Sequence, residues 1–487
     1  MHECRADVLP WLPRALLRGN RRACLFTLCG LGVAFGIRGR EESCIELSRP
    51  LRIQAMKTFD IHVVRQTSQG LDAPLPLKIS AADSVFTRLL RPGSADADDY
   101  LVAPPSQLAF WLADNWWRLR WESAPSGWRT ADWRLAHELA SIGGGYVWPR
   151  LTVWGEGAMV GLSSKSDAAG VVGPVRYLTD DNTLIDGRQF ERAVDSFFDA
   201  ACDDESGIGT DRLALKAIVD QIREERANEE WFSWRQLEAR AGFDRDQAPE
   251  QLMNDLSAMV DRFGQAGVDE AVQANPGNDA AIVLSSEIAA ARTHGLTCNF
   301  RSAAKESGAV VGRNSEAPWQ AGEMAAKRVR DTLGLTSEPL SNRRISELCT
   351  LDFQALESTD PAENSLSYGL RLTDLHQDVE RLAIRSRRPV GRRFEICRAL
   401  GDAIWSADDV LGPIARSKTP RQKFQRAFAQ SLLCPFDHLM SYINNEQPSD
   451  EDVDAAARHF DVSTMMVQSL LVNRDVVGRN RFAEIMD

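Results

Sequence analysis

Histidine is scarce in this chain, and so are pairs of residues with the spacing of metal ligands. The 487 residues include seven histidines, no two of which stand four residues apart as in a helical zinc motif. The pair His137-Glu138 begins like such a motif, but Ser141 occupies the position of the second ligand. His294 with Cys298, and Cys434 with His438, have the spacing but supply only half a site each. The sequence therefore predicts no bound metal and no cofactor.

The chain also lacks positive net charge and long apolar runs. Its formal net charge is −12, so no global field draws it onto nucleic acid or an anionic membrane. The apolar run at residues 23–37 is too short and too rich in glycine to span a bilayer. We therefore expect no membrane association.

Cysteines give no disulfide pattern. Of the nine, four precede residue 56 and the other five are scattered, which suits a reducing cytoplasm. Arg21-Arg22 before the apolar run is compatible with a twin-arginine export signal, but no small-x-small cleavage site follows. Met56 opens a strand-like segment and is a second candidate start. We expect residues 1–55 to be a disordered or non-native extension of a cytoplasmic protein.

Length and composition predict two to four globular domains, with 44% hydrophobic and 26% charged residues. Residue patterns favour an α+β protein that is predominantly helical. We expect a mixed α/β domain at 56–175, a mainly helical region at 176–310 and a third domain at 316–487. Strands at 59–65 and 75–79, one helix at 106–121 and a hairpin around Gly155 and Gly157 are predicted in the first domain.

Tryptophan is concentrated in one segment. Eight of the 13 tryptophans lie between residues 111 and 154, interleaved with arginines. Aromatic and arginine side chains together are typical of a groove that stacks bases or grips a peptide. The alternative is a tryptophan-rich core with arginines at its edge.

The most informative segment is residues 392–435. It reads RRFEICRALGDAIW, a short loop, and then TPRQKFQRAFAQSLLCP. This resembles the ImmA/IrrE family of zinc endopeptidases, whose pattern runs roughly RFTLAHELGH, a spacer, and E-x-x-A-N-x-F-A-x-x-L-L-M-P. The resemblance extends over about residues 316–478 and implies a zincin-like fold. The positions in register are Arg393, Phe394, Leu400, Gly401, Phe428, Ala429, Leu432, Leu433 and Pro435.

The resemblance also shows which groups are missing. Arg398 stands at the first histidine, Ala399 at the general base, Asp402 at the second histidine and Gln422 at the distal glutamate. A guanidinium has no lone pair to give a cation, and alanine is no base. We expect either an Arg398–Asp402 ion pair at the former metal position or two solvated side chains.

The resemblance implies an inactivated copy, a non-catalytic regulator or scaffold that docks a protein partner. The old substrate cleft would be the docking surface, with Arg398, Asp402 and Gln422 on its floor. Family members act in mobile-element induction and stress response, so a related or phage-defence setting is expected. An active zinc endopeptidase that cleaves a transcriptional regulator is a further alternative.

Positive charge gathers between residues 381 and 426, where twelve Lys and Arg face four acids. The densest part, the basic ridge, contains Arg385, Arg387, Arg388, Arg392 and Arg393. Such a ridge can bind phosphates or an acidic partner, or it can be a solvated face. A nucleic-acid-binding component of a defence or mobile-element system is the second hypothesis.

Overall fold

Two paired strands begin the described part of the chain, at residues 59–63 and 75–81. The computed structural model describes residues 58–478, except for 66–69, 169–172, 204–208, 310–316, 358–365 and 375–378. The expectations for residues 1–55 lie outside the described residues. The described residues belong to a single compact unit.

The strands of the described residues form small antiparallel sheets. Their orders are β1-β2-β3 with β5 on β2, then β4-β8, β6-β7-β9 and β10-β12-β11-β13. The strands are β1 Phe59–Val63, β2 Leu75–Ala81, β3 Ser84–Val85, β4 Leu89–Leu90, β5 Leu101–Ala103, β6 Leu151–Glu156, β7 Met159–Ser164, β8 Arg176–Tyr177, β9 Asp181–Asp186, β10 Leu296–Cys298, β11 Gly369–Asp374, β12 Val379–Ala383 and β13 Leu411–Ile414.

Helices make up most of the remaining structure, so the prediction of a mainly helical α+β protein is confirmed at the level of class. The helices are α1 Pro105–Asp114, α2 Trp116–Trp121, α3 Ala131–His137, α4 Gly187–Cys202, α5 Gly209–Ala227, α6 Glu229–Arg240, α7 Glu250–Phe263, α8 Gln265–Ala274, α9 Ala280–His294, α10 Phe300–Glu306, α11 Pro318–Thr332, α12 Asn342–Cys349, α13 Phe353–Glu357, α14 Pro389–Trp405, α15 Pro420–Leu433, α16 Phe436–Ile443, α17 Asp450–Phe460 and α18 Thr464–Asn473.

Three hydrophobic clusters hold these elements together. One joins the early strands to α1, α2, α4 and α5, and a second joins α6–α9 to β11 and β13. The third joins α10–α18 around Phe424 and Phe428. The predicted domain boundaries stay predictions, although the last sheet takes its edge strand β10 from before residue 316.

The last sheet and the helices α14 and α15 position Arg398, Asp402 and Gln422. Strands β12, β11 and β13 lie side by side, and α14 and α15 pack together next to them. Helix α11 packs closely against α15 at Gly322, where an added Cβ atom would lie 2.7 Å from the backbone oxygen of Phe424. Thr419 caps the N-terminus of α15, because its side-chain oxygen accepts a hydrogen bond from the backbone amide of Gln422. This cap fixes the backbone of Gln422 in the first turn of the helix.

Most of the tryptophan segment forms a core. Trp111, Trp116, Trp117, Trp133 and Trp148 are buried. The predicted hairpin around Gly155 and Gly157 is confirmed as β6 paired with β7. The core interpretation therefore holds for these five side chains, while Trp128 differs and is described below.

Candidate functional site

Two neighbouring helices bring together the four positions that the resemblance assigns to metal chemistry. Arg398, Ala399 and Asp402 lie on α14, and Gln422 lies on α15. Exposed fractions are 7% for Arg398 and 0% for Ala399, Asp402 and Gln422. Because these side chains are enclosed, they do not form the floor of an open docking cleft, and that prediction was wrong.

Arg398 is held by neutral oxygen atoms and pairs with no carboxylate of the described residues. Its Nη2 donates to Gln422 Oε1 at 2.6 Å, Ala415 O at 2.7 Å and Gln425 Oε1 at 3.1 Å. Its Nε is buried without a hydrogen-bond partner among the described residues. Burial, and then the charge of Arg426, lower the pKa of Arg398 to about 9. The guanidinium is thus still cationic at neutral pH.

Asp402 pairs with two other arginines. Its Oδ1 accepts from Arg421 Nε at 2.6 Å and its Oδ2 accepts from Arg421 Nη2 at 2.9 Å. Arg371 Nε donates to the same Oδ2 at 3.0 Å, and Gln425 Nε2 donates to Oδ1 at 2.6 Å. The predicted Arg398–Asp402 ion pair was therefore wrong, because both carboxylate oxygens are already occupied.

Arg371 and Arg421 were missed by the sequence analysis. Arg371, on β11, also pairs with Glu380 on β12 at 3.1 Å and donates to the Ser406 carbonyl oxygen at 3.1 Å. Arg421, on α15, also pairs with Asp409 at 2.8 Å. The available signal for Arg371 was its position between two leucines. Arg421 stands in a polar stretch, TPRQK, which gives no such signal.

The oxygen and the nitrogen of the Gln422 side-chain amide each make two hydrogen bonds. Its Oε1 accepts from Arg398 and from the Ala415 backbone amide at 2.9 Å. Its Nε2 donates to the Pro413 carbonyl oxygen at 2.8 Å and to Glu270 Oε2 at 3.2 Å. Glu270 comes from α8 and also accepts from Thr419 at 2.8 Å. Gln422 is therefore committed to structural contacts.

We call these groups the buried polar network: Arg371, Arg398, Asp402, Arg421, Gln422 and Gln425. Gly412 on β13 leaves space for it, because a Cβ there would lie 1.9 Å from Asp402 Oδ2. The network fills the region where the resemblance would put a metal.

The residues at these positions do not fit a zinc ion. The Gln422 oxygen already accepts from a guanidinium, and the Asp402 oxygens accept from two more. Three guanidinium groups at one place would repel a divalent cation. Across the described ranges, no group of three His, Cys, Asp or Glu side chains is arranged to hold a metal ion.

The charge of Asp402 predicts a pH-dependent contribution to stability. Burial alone would raise its pKa, but the charges of Arg421 and Arg371 outweigh burial and hold the pKa below its ordinary value of 3.8. Ionised Asp402 therefore stabilises the folded state above about pH 4, and this stabilisation is lost as pH falls through the lowered pKa.

The measurement is the free energy of unfolding of the native protein and of Asp402→Asn across this pH range. The difference between the two proteins should be constant near neutral pH and should shrink below about pH 4. A difference that stays the same down to about pH 2 would contradict the assignment.

The basic ridge is less continuous than its sequence suggests. Arg393 is buried and donates to Asn342 Oδ1 at 2.6 Å and to the Leu340 carbonyl oxygen. Its prediction as a contact residue is therefore wrong, because its donors face the protein interior. Arg387 and Arg388 are exposed, whereas Arg385 and Arg392 are half-buried.

The apparent zinc-motif fragment at His137 is structural. His137 is buried, with Nε2 2.9 Å from Glu122 Oε2 and Nδ1 2.6 Å from the Val153 carbonyl oxygen. Glu122 also pairs with Arg118 at 2.6 Å. These contacts fix α2 against α3 and β6.

No protein-family profile, curated protein or solved structure matches this chain. No helix in the described ranges combines the length and apolarity needed to cross a membrane.

Proposed function

We propose that residues 316–478 are a zincin-like, ImmA/IrrE-related domain that no longer hydrolyses peptides and serves a non-catalytic regulatory or scaffold protein. The observation that supports this is the Arg398 guanidinium on the Gln422 oxygen, at the two positions that the resemblance assigns to ligands. A general base is also missing, since Ala399 packs in the core. An active zinc endopeptidase is disfavoured for the same reasons.

The partner that this protein docks is, on this proposal, another protein. Its docking surface consists of exposed side chains around the domain, because the buried polar network is enclosed. The resemblance places such a protein in the cytoplasm, in a mobile-element, phage-defence or stress-response setting. The proposal rests on the resemblance for the setting and on the geometry for the loss of catalysis.

Zinc content and peptide cleavage test this proposal. The purified full chain, measured by elemental analysis after exposure to zinc and removal of free metal, should hold no stoichiometric zinc. A library of unrelated peptides, incubated with the full chain, should remain uncut with or without a chelator. One equivalent of zinc that disappears in Gln422→Ala, or cleavage that a chelator stops, would overturn the proposal. Gln430→Ala, on the outer part of the same helix, is the matched control.

A second candidate function is nucleic-acid binding. Arg387 and Arg388 are exposed neighbours with no ion pair among the described residues, so their charge is available to phosphates. The protein as a whole is acidic, so binding would depend on such local concentrations of positive charge.

A further inference from the structure

A second concentration of positive charge lies in the loop between β13 and α15. Arg416 and Lys418 are exposed, whereas Ser417 and Thr419 are buried. This alternation directs the two cationic side chains outward. Arg426 on α15 fixes the loop by donating to the Ser417 carbonyl oxygen at 3.0 Å. The loop is thus held in one position with its charges outward.

The charged groups that act most strongly on Lys418 are themselves cations. Burial, and then the charges of Arg129, Lys423 and Arg426, lower the pKa of Lys418. Lys423 and Arg129 are partly neutralised by Glu156 and Glu138. Lys418 and Arg426 have no ion pair among the described residues. Like charges held together in this way raise the local potential for an anion.

A cleft of about 340 Å³ opens next to this loop. Its walls include residues 123–128 and the turn at Pro276 and Gly277, and Ser417 is the one residue of the loop in its lining. Two carboxylates of the lining, Glu122 and Asp132, are paired with Arg118. Ser417 Oγ is buried and has no hydrogen-bond partner among the described residues. The cleft therefore contains an unused polar group beside the cationic loop.

The outer wall of the cleft carries an exposed aromatic side chain. Trp128 is 90% exposed, unlike most of the tryptophans before and after it. Its neighbour Arg129 lies over the ring of Trp133, 5.0 Å from the centroid. An indole that is exposed to this degree contributes little to the core. Its flat face is available to stack on a planar ligand.

We propose that the mouth of this cleft binds single-stranded nucleic acid, with one base stacked on Trp128 and phosphates at Lys418 and Arg129, which are the sequence neighbours of the lining residues Ser417 and Trp128. Stacking on an aromatic ring next to a cationic track is how proteins hold single strands without reading their sequence. The inference shares its ligand class with the second candidate function but assigns a different surface. It does not depend on the proposed loss of peptidase activity.

An acidic polypeptide is the rival occupant, since it would also be attracted to the cations. Arg118 and Arg240 inside the cleft are already paired with carboxylates, so they are available to neither ligand. The exposed indole favours a ligand with aromatic bases. The observations therefore favour nucleic acid.

The test is fluorescence anisotropy of labelled single-stranded DNA and RNA oligonucleotides with the full chain over a range of salt concentrations. Trp128→Ala should weaken binding about 5- to 150-fold, the loss of one stacked base. Lys418→Ala should reduce the slope of log affinity against log salt by about 0.7. Trp231→Ala, a tryptophan that is 51% exposed on α6, and Lys305→Ala, an exposed lysine on α10, are the matched controls and should bind like the native protein.

The outcomes separate this inference from the second candidate function. Absence of binding to either oligonucleotide at low salt overturns both. Binding that is lost in an Arg387→Ala, Arg388→Ala double variant but is unchanged in Trp128→Ala and Lys418→Ala overturns the cleft alone. Binding of poly-glutamate that depends on Lys418 and not on Trp128, without oligonucleotide binding, would assign the surface to an acidic protein.

Discussion

Replacing Asp402 by alanine is expected to lower the free energy of unfolding by about 3–5 kcal/mol, the usual loss when one partner of a buried ion pair is removed. The carboxylate is fully buried and accepts from Arg371, Arg421 and Gln425. Without it, two buried guanidinium groups face each other across an empty space. Chemical denaturation of the full chain at neutral pH measures the change.

The control for this prediction is Asp408→Ala. Asp408 lies six residues further along and is exposed, and exposed substitutions usually change stability by less than about 0.5 kcal/mol. A loss for Asp402→Ala no larger than for Asp408→Ala would mean that the carboxylate does not bind the two arginines in solution.

Arg371→Met is expected to lower the free energy of unfolding by a similar amount, about 3–5 kcal/mol. Methionine occupies much of the same volume, so the loss reports the missing charge and hydrogen bonds rather than a large cavity. The guanidinium is fully buried and contacts Asp402, Glu380 and Thr373. Its removal leaves Glu380 buried and without its cation. Denaturation curves at neutral pH give the value.

Arg387→Met controls for the general effect of losing an arginine, since Arg387 is exposed. A double variant, Arg371→Met with Asp402→Ala, adds a second check. If the two residues act through each other, the double variant should lose less stability than the sum of the two single variants. Strict additivity would show that the contact between them contributes nothing.

Local patterns predicted much of the secondary structure. The strands predicted at 59–65 and 75–79 agree with β1 at Phe59–Val63 and β2 at Leu75–Ala81. The single helix predicted at 106–121 was wrong, because the chain leaves helical geometry at Asn115. The Asn115 amide donates to the Trp111 carbonyl oxygen at 2.8 Å, a side-chain contact that competes with the helix.

The site was predictable only in part. The resemblance implied that Arg398, Asp402 and Gln422 belong together, and Arg398 does contact Gln422. It paired Arg398 with Asp402 because their spacing on a helix allows contact. The actual partners of Asp402 are Arg371 and Arg421, which lie on other elements. Residue spacing along one helix carries no information about them.

The long-range contacts of the basic ridge could not be predicted from the sequence either. Arg393 is surrounded by arginines in the sequence, yet its side chain turns inward to Asn342 and the Leu340 carbonyl oxygen. Trp128 is the opposite case, since most of the tryptophans in the same segment are buried and it is not. Residue type indicated the chemistry at both positions, but only tertiary packing decided which side chain reaches solvent.

The sheet beside α14 has a consequence for cutting this protein into pieces. Strand β10, at Leu296–Cys298, forms its edge, and Glu270 on α8 reaches Thr419 and Gln422. A fragment that starts at residue 316 would expose the hydrogen-bonding groups of β12 and lose an internal acidic anchor. Unpaired strand edges promote self-association. A fragment intended to fold alone should therefore begin before α8, so the part that resembles a peptidase is shorter than the part that must be expressed.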